Sequence, residues 1–305
     1  MRRHISWSLV LSTLACGPSV VPQSELHTTR VLAVRADPPE LLLLADAGPP
    51  PPVHFSALAV ALGGGTPAMS YALCLAGDPF DPTFQCPGSD GITLPDDTLD
   101  VAGPEFETLL GALDGGFDCT RLPPNGLPQT EPGVVQVAIG FLADSGTGPG
   151  ESERGIYRLG VRCSGRPNHN PELLAVTVPD GGSLQGALFP LEQEIQLTPH
   201  IPDSGPDGAW PSIGIDGGIE TYPSLDGGIT YENLNYSWFA SVPEIIYFRS
   251  REPTPGDSAE TAYTRFKGHD AGPVTFYVVL RDGRGGTDWQ VFDAAVIDGG
   301  MVPLP

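Results

Sequence analysis

The density of glycine and proline constrains this chain more than any other feature. Its 305 residues include 39 glycines and 34 prolines, spread along the whole length without the period of collagen. Both residues interrupt helices and favour turns, because proline lacks an amide hydrogen and glycine loses much backbone entropy when it is ordered. The chain is 40% hydrophobic, which is enough for apolar cores, so wholesale disorder is excluded. We therefore expect an all-β protein with many turns and long loops.

The N-terminus has the pattern of an export signal. A basic start precedes an apolar run that ends at Ala15 and is followed by Cys16. A membrane-spanning helix needs roughly 20 apolar residues, so this shorter run indicates a secretory signal peptide over residues 1–15. Small residues before a cysteine resemble a bacterial lipobox, which implies lipidation of Cys16, although Thr13 stands where that pattern has leucine. Ordinary secretion with an incidental Cys16 is the alternative.

The residues after the cysteine fit an anchored protein. Residues 16–28 are polar and lack a pattern, which indicates a tether between lipid and domain. Each buried lipid CH₂ contributes about 0.8 kcal/mol, so acyl chains would hold the chain at a membrane without a helix. The same resemblance implies outer-membrane sorting, because residue 17 is glycine rather than aspartate. We expect an exported protein at the outer membrane that faces the periplasm or the cell surface.

The charge balance limits the partners. The formal net charge is −22, and Lys267 is the single lysine. Nucleic acids and anionic lipid headgroups need a basic surface, so both are excluded as electrostatic partners. The partners that remain are the membrane, through the N-terminal lipid, and other envelope proteins or surface glycans. No cofactor is expected.

Four cysteines remain if Cys16 carries lipid, and they are Cys74, Cys86, Cys119 and Cys163. An even number in an oxidising compartment predicts two disulfides, and three pairings are possible. We favour Cys74–Cys86 with Cys119–Cys163, because each pair ties a loop to a nearby strand. No pair has the short spacing of a zinc knuckle, so no metal site is expected there.

Hydrophobic alternation divides the chain into two strand-rich domains, 29–165 with the disulfides and 166–305 without cysteine. The boundary falls in the polar segment Gly165–Pro171, which we interpret as a hinge. A long acidic loop insert at about 76–130 interrupts the first domain and contains a predicted short helix at Pro104–Leu113. The predicted strands are Thr29–Arg35, Val53–Leu62, Met69–Leu75, Val134–Leu142, Ile156–Cys163, Glu172–Val178, Glu194–Thr198, Asn233–Ala240, Thr261–Phe266, Val274–Leu280 and Gln290–Ile297.

Alternation also predicts which side chains are buried. In one strand Leu234, Tyr236 and Trp238 share a face, and Trp238 is interpreted as a core residue. In another strand, one face carries Tyr157, Leu159, Val161 and Cys163 and the other carries Arg158 and Arg162. This places Cys163 on the buried face. Strands at this spacing with a tryptophan on a central strand indicate β-sandwiches.

Three segments resemble uncharacterised bacterial lipoproteins with tandem immunoglobulin-like domains. They are Thr29–Glu40, where a strand runs into a Pro-Pro turn, Tyr277–Trp289, a strand with a Gly-rich turn, and Asn235–Phe239, the tryptophan strand. The resemblance implies two immunoglobulin-like β-sandwich domains in series and assigns no chemistry.

The motif Asp-Gly-Gly recurs at uneven intervals, which indicates hairpin turns rather than a repeat array. Calcium is the alternative, but the segment that begins at Asp203 fails as an EF-hand because Gly205 and Gly214 occupy ligand positions. A looser calcium site at Asp96, Asp97 and Asp100 stays open. The motif starts at Asp114, Asp180, Asp216, Asp226 and Asp298.

Arg281, Asp282 and Arg284 form the candidate binding loop, because two guanidiniums beside a Gly-rich turn can present a fork to an anion. The alternative is a tight hairpin in which Asp282 pairs with an arginine. No Gly-x-Ser-x-Gly or His-Glu-x-x-His motif is present, so no catalytic residue is assigned. The sequence therefore predicts a non-catalytic, lipid-anchored structural or binding module. A calcium-dependent surface adhesion module and a hydrolase with an unrecognised carboxylate site are the alternatives.

Overall fold

The computed structural model describes residues 26, 28–43, 50–61, 65–74, 91–100, 103–104, 106, 129–131, 133–146, 151–163, 165, 167–202, 219–224, 226–242, 244–254 and 262–298. The signal peptide, Cys16 and most of the tether lie outside these residues. So do Cys86, Cys119, most of the predicted helix at Pro104–Leu113, and the segment that begins at Asp203.

The first domain contains two sheets and a short 3₁₀ turn at Pro95–Asp97. One sheet has the order β1-β3-β6, and the other has the order β2-β9-β8-β4-β5, with β7 paired to β8. The strands are β1 Arg30–Asp37, β2 Glu40–Leu42, β3 Val53–Val60, β4 Ala68–Cys74, β5 Gly91–Thr93, β6 Thr98–Leu99, β7 Gln129–Glu131, β8 Val134–Asp144 and β9 Ser152–Arg162.

The second domain contains a three-stranded sheet, β10-β12-β17, and a five-stranded sheet, β11-β19-β18-β15-β16, with a separate β13-β14 hairpin. The strands are β10 Ala175–Thr177, β11 Leu188–Pro190, β12 Glu194–His200, β13 Thr221–Pro223, β14 Ile229–Tyr231, β15 Asn235–Ala240, β16 Arg249–Arg251, β17 Thr264–Lys267, β18 Gly272–Arg281 and β19 Thr287–Ile297.

The two domains repeat one strand arrangement. In each domain the first strand lies beside the third, and the short second strand pairs in parallel with the last strand, β2 with β9 and β11 with β19. The last two strands form a long antiparallel hairpin, which pairs onward with the strand that carries the central aromatic residues. This is the order of an immunoglobulin-like sandwich. The prediction of an all-β fold with two such domains in series is confirmed.

Each core lies between the two sheets of its own domain. In the first domain Phe55 stacks on Tyr71 at 5.5 Å between ring centroids. In the second, Phe266 meets Phe276 edge-on at 4.8 Å. Trp238 is fully buried in this second core and donates its Nε1 hydrogen to Ser250 Oγ at 2.9 Å, so its predicted core position is confirmed.

The long strands begin and end near their predicted limits, but two burial predictions need correction. Arg162 was placed on the outward face of its strand and is only 2% exposed, because Glu40 and the residues after β9 cover that face. Cys163, which was placed on the buried face, is half-buried beyond the end of β9.

The sheet register limits the disulfide pairing. Leu73 of β4 lies opposite Ile139 of β8, which lies opposite Tyr157 of β9. Cys74 and Cys163 are therefore two strand spacings of about 4.8 Å apart and offset by several residues of about 3.3 Å each. A disulfide needs Cα atoms within about 7 Å, so these two cysteines cannot pair with each other. Two of the three pairings remain, including the one we favour.

Two Asp-Gly-Gly motifs form turns as predicted, with a difference in the backbone. Gly181 and Gly227 have φ of 81° and 86°, whereas Asp180 and Asp226 keep negative φ. Each aspartate accepts a hydrogen bond from the amide two residues later, at 2.9 Å for Asp180 and 3.2 Å for Asp226. That bond holds the aspartate in an Asx turn, so only the glycine enters the left-handed region.

Candidate functional site at the domain junction

The candidate loop forms the hairpin between β18 and β19, at the junction of the two domains. Asp282 is 1% exposed, and its Oδ1 accepts hydrogen bonds from the amides of Arg284 at 2.7 Å and Gly285 at 3.0 Å. Gly283 closes the turn with φ of 80°. The two arginines leave this turn in different directions, so Arg281 and Arg284 meet different surroundings.

Arg284 lies among carboxylates. Its Nη1 donates to Glu232 Oε1 at 2.7 Å and to Asn168 Oδ1 at 2.8 Å. Glu220 Oε2 lies 3.4 Å from the same nitrogen. The guanidinium also sits over the ring of Tyr222, 4.6 Å from its centroid, in a cation–π contact. Arg284 therefore binds the β18–β19 hairpin to the segments that flank β13 and β14.

A second ion pair lies on the side of the first domain. Arg162 of β9 donates to both oxygens of Glu40 in β2, at 2.7 and 3.0 Å. Both side chains are almost fully buried, at 2% and 1% exposure. Glu40 also accepts the backbone amide of Asn168 at 2.8 Å, and its Oε1 lies 3.9 Å from Arg284 Nη2. The Glu40 carboxylate thus joins the two arginines.

The segment between the domains contacts both of them. Asn168 Nδ2 donates to Asp282 Oδ2 at 2.6 Å. Asn170 donates to the carbonyl of Ala36 at 2.9 Å and accepts the amide of Thr287 at 2.9 Å. Bonds to both domains restrain the segment that we interpreted as a hinge, while the boundary at residue 165 stays a prediction. We call Glu40, Arg162, Asn168, Glu220, Glu232, Asp282 and Arg284 the junction cluster.

The junction cluster contains more carboxylates than guanidiniums, and most of its side chains are buried. Burial, followed by the nearby charge of Asp282, raises the pKa of Glu232 to about 8. Burial likewise raises the pKa of Asp282 to about 6, although hydrogen bonds from Asn168 and Arg284 oppose the shift. At neutral pH the cluster therefore keeps a proton, which reduces the repulsion between its acids.

Apolar contacts and a hydrogen bond from a tyrosine side chain complete the junction. Leu32, Ala33 and Leu58 of the first domain pack against the fully buried Val279 of β18. Tyr157 donates its hydroxyl hydrogen to the carbonyl of Gly285 at 2.6 Å. Burial raises the pKa of Tyr157, with the charge of Asp282 as a second cause, so the hydroxyl stays protonated and can donate.

Arg281 lies on the other side of the hairpin. Its Nη2 donates to the carbonyl of Leu32 at 2.6 Å, and its Nη1 donates to Ser237 Oγ at 3.1 Å. Among the described residues no carboxylate lies within ion-pair distance of its guanidinium. The sequence placed Arg281 and Arg284 in one anion-binding loop, and the structure separates them. Ligand binding by this loop stays a prediction.

Most of the junction cluster was missed by sequence reasoning. No sequence motif marks these residues: Glu40 lies in a short edge strand, Asn168 lies in a polar linker, and Glu220 and Glu232 flank a short hairpin. Arg162 offered one usable signal, since an arginine near the end of an otherwise apolar strand needs a buried partner or solvent. The sequence does not say which.

The other candidate residues show no chemistry in the described part of the chain. Asp96 and Asp97 lie within the 3₁₀ turn and have positive φ of 49° and 53°, and Asp100 follows β6. No group of three His, Cys, Asp or Glu side chains within the described ranges is arranged to hold a metal ion. No helix among those residues is long and apolar enough to cross a membrane. The junction cluster itself can fix the domains and hold a proton, and its burial keeps its acids from solvent.

Neither a protein-family model nor a curated protein sequence matches the chain. Among solved structures, the chain is similar to the fibronectin(III)-like modules of Clostridium thermocellum CbhA, with 10% identity, a TM-score of 0.25, and coverage of 90% of this chain and 98% of that one. It is also similar to protocadherin gamma B2 cadherin domains 3–6, with 16% identity, a TM-score of 0.20, and coverage of 88% and 52%. It is similar as well to mouse cadherin-23 EC22–24, with 9% identity, a TM-score of 0.20, and coverage of 87% of this chain and 64% of that one. At these scores the likeness carries no argument, and the fold assignment rests on the sheet order described above.

Proposed function

We propose that this chain is a non-catalytic, lipid-anchored protein of the cell envelope, exported to the outer membrane and built as a rigid two-domain structural or binding module. The observation that supports the rigid module is the junction cluster, in which Asn168 of the connecting segment is hydrogen-bonded to Glu40 of the first domain and to Arg284 of the second. An assembly of this kind fixes one domain relative to the other.

The distribution of buried polar groups supports a mechanical rather than a chemical role. Most of the buried charged side chains among the described residues belong to the junction cluster. Glu40 pairs with Arg162 in the first domain, Glu232 pairs with Arg284 in the second, and Glu40 lies 3.9 Å from Arg284 across the boundary. Burying charges costs free energy unless they are paired and hydrogen-bonded, so such a cluster is retained where it fixes geometry. Two domains joined without such contacts would be expected to move relative to each other. Turnover of a glycan, ester or peptide by the purified protein would contradict the non-catalytic assignment.

The anchor is tested by Cys16→Ser. Lipidation at this residue predicts that the wild-type chain partitions into the membrane fraction, whereas the variant is released as a soluble or unprocessed form. Gly17→Asp is the matched control, because it keeps the cysteine and is expected to shift the protein towards the inner membrane. Retention of Cys16→Ser with the outer membrane would contradict the lipid anchor.

The disulfides belong to the same proposal, since they need an oxidising compartment. We expect Cys74–Cys86 and Cys119–Cys163 in the exported protein. Peptide mapping under non-reducing conditions distinguishes this pairing from Cys74–Cys119 with Cys86–Cys163. Four free thiols in the exported chain would contradict both the pairing and the compartment.

A further inference from the structure

A cleft of 410 Å³ opens where the start of β1 meets β15 and β16, on the opposite side of the hairpin from the junction cluster. Register fixes which side chains line it. Ser237 lies opposite Arg249 of β16, and Asn235 lies opposite Arg281 of β18, so these four side chains project from one face of the sheet. Tyr236 and Trp238, which alternate with them, point into the core.

The guanidiniums of Arg249 and Arg281 lie on this face, and no carboxylate of the described residues is within ion-pair distance of either. Arg281 Nη1 donates to Ser237 Oγ at 3.1 Å, and Ser237 is the residue of β15 that lies opposite Arg249. Among the described residues neither Arg249 nor Arg281 has a carboxylate partner. Burial, and after it the positive charge of Arg249, lowers the pKa of Arg281. In a chain with a net charge of −22, two neighbouring arginines that have no carboxylate partner among the described residues form a locally positive site.

The other groups of the cleft suit a ligand that has a ring and hydroxyl groups as well as a negative charge. Phe248 is 39% exposed and presents an aromatic ring beside Arg249, whose guanidinium carbon lies 5.5 Å from the ring centroid. Asn235 uses its Nδ2 in a bond to the carbonyl of Asn233 at 2.6 Å, which leaves its carbonyl oxygen to accept from a ligand hydroxyl. An aromatic face beside hydroxyl-binding groups and a positive fork fits an acidic sugar.

We propose that this cleft binds the oxyanion group of a small ligand between Arg249 and Arg281, with the ligand's ring against Phe248, and that a sugar carboxylate is the chemical class it takes. The inference deepens the binding role proposed above and does not depend on the lipid anchor. Ser237 positions Arg281, and the amide of Asn235 contacts a ring hydroxyl. The anion would also relieve the repulsion between the two guanidiniums.

The test uses the full mature chain with Cys16→Ser, so that no lipid is attached. Calorimetric titration with D-glucuronate is compared with D-glucose, which lacks the charge, and with inorganic phosphate, which has the charge but no ring. We expect binding of glucuronate, weaker binding of phosphate and none of glucose, with amide shifts at Ser237 and Arg249 in nuclear magnetic resonance spectra. Phosphate binding as tight as glucuronate would reject the sugar and leave a phosphate-type oxyanion as the ligand.

Arg249→Gln should weaken glucuronate binding by about tenfold or more, because it removes a charge-assisted hydrogen bond. Arg265→Gln removes the same charge from the same domain but outside the cleft, where Arg265 pairs with Glu194 at 2.8 Å, and it should leave the affinity unchanged. No binding of either anion, or equal weakening by both variants, would overturn the proposal. Either result would leave the anchor and the rigid junction untouched, since those are tested by fractionation and by unfolding.

Discussion

The two sides of the β18–β19 hairpin carry opposite excess charge. On one side Arg284 is surrounded by Glu220, Glu232 and the more distant Glu40, and each of these ion pairs links the hairpin to another segment of the chain. On the other side Arg281 and Arg249 face a cleft, and neither has a carboxylate within ion-pair distance among the described residues. Arg281 and Arg284 lie three positions apart in sequence, with two residues between them. The comparison teaches that the direction in which an arginine leaves the hairpin decides its role. The arginine that pairs with carboxylates, Arg284, stabilises the domain junction.

The largest expected effect comes from removing the structural arginine. Arg284→Met leaves buried carboxylates without their shared cation, so the free energy of unfolding should fall by about 3–5 kcal/mol. Urea denaturation of the purified chain measures it. Arg265→Gln, which breaks an exposed pair with Glu194, should cost less than about 1 kcal/mol. If both variants lost the same small amount, the cluster would not hold the junction.

The acid excess predicts a pH dependence with a definite sign. Glu232 has a pKa of about 8 in the folded state, raised from 4.5, so the folded chain binds this proton more tightly than the unfolded chain. The free energy of unfolding should therefore fall as pH rises from about 4.5 to about 8, by on the order of a few kcal/mol. Asp282 should also lower the free energy of unfolding as pH rises, between about pH 3.8 and about pH 6, because its pKa is raised from 3.8 to about 6.

Glu232→Gln isolates that contribution. The amide keeps the size and the acceptor oxygen of the side chain but cannot ionise, so the variant should lose most of the slope between pH 6 and pH 8. Urea midpoints measured across the range give the slope. Glu194→Gln, in an exposed pair, serves as the control. A slope in Glu232→Gln equal to that of the wild type would assign the proton to another group.

Close packing of the hairpin gives a smaller effect. A Cβ atom on Gly286 would lie 2.1 Å from Asp282 Oδ2 and 2.8 Å from the carbonyl oxygen of His169. Gly286→Ala should therefore lower the free energy of unfolding by about 1–3 kcal/mol. Gly65→Ala, where a Cβ meets nothing within 4 Å, should change it by less than about 0.5 kcal/mol. Equal melting temperatures for the two variants would show that the hairpin tolerates displacement.

The smallest expected change in the free energy of unfolding comes from removing Arg249 in the cleft, and it is an increase or no change. Arg249 is exposed and faces a like charge, so Arg249→Gln should leave the free energy of unfolding unchanged or raise it by up to about 0.5 kcal/mol. Thermal unfolding without added anion measures this. A loss above 1 kcal/mol would mean that Arg249 is a structural residue and would remove the contrast between the two sides.

The long strands were predictable because their period-two patterns are strong, as in β8, β9 and β18. The short edge strands β2, β11 and β16 were not predicted, since three residues carry too little pattern. The core position of Trp238 followed from alternation alone. The junction cluster did not, because Glu40 and Arg284 lie far apart in sequence and meet only when one domain packs on the other.

The candidate loop shows the same limit more sharply. Its composition predicted a tight turn at Asp282 and two guanidiniums available to an anion. The separation of Arg281 from Arg284 depends on the direction in which each side chain leaves the hairpin, and on the hydrogen-bond partners that β1 and the segments flanking β13 and β14 supply. Those partners are set by the domain arrangement, and no local pattern encodes it.

The central claim is that the junction cluster makes the two domains one cooperative unit, and hydrogen exchange in urea tests it most directly. Peptides from β9 report on the first domain and peptides from β12 report on the second. In the wild-type chain both should lose protection at the same urea concentration, and in Arg284→Met the two midpoints should separate. Two separate midpoints in the wild-type chain would contradict the claim.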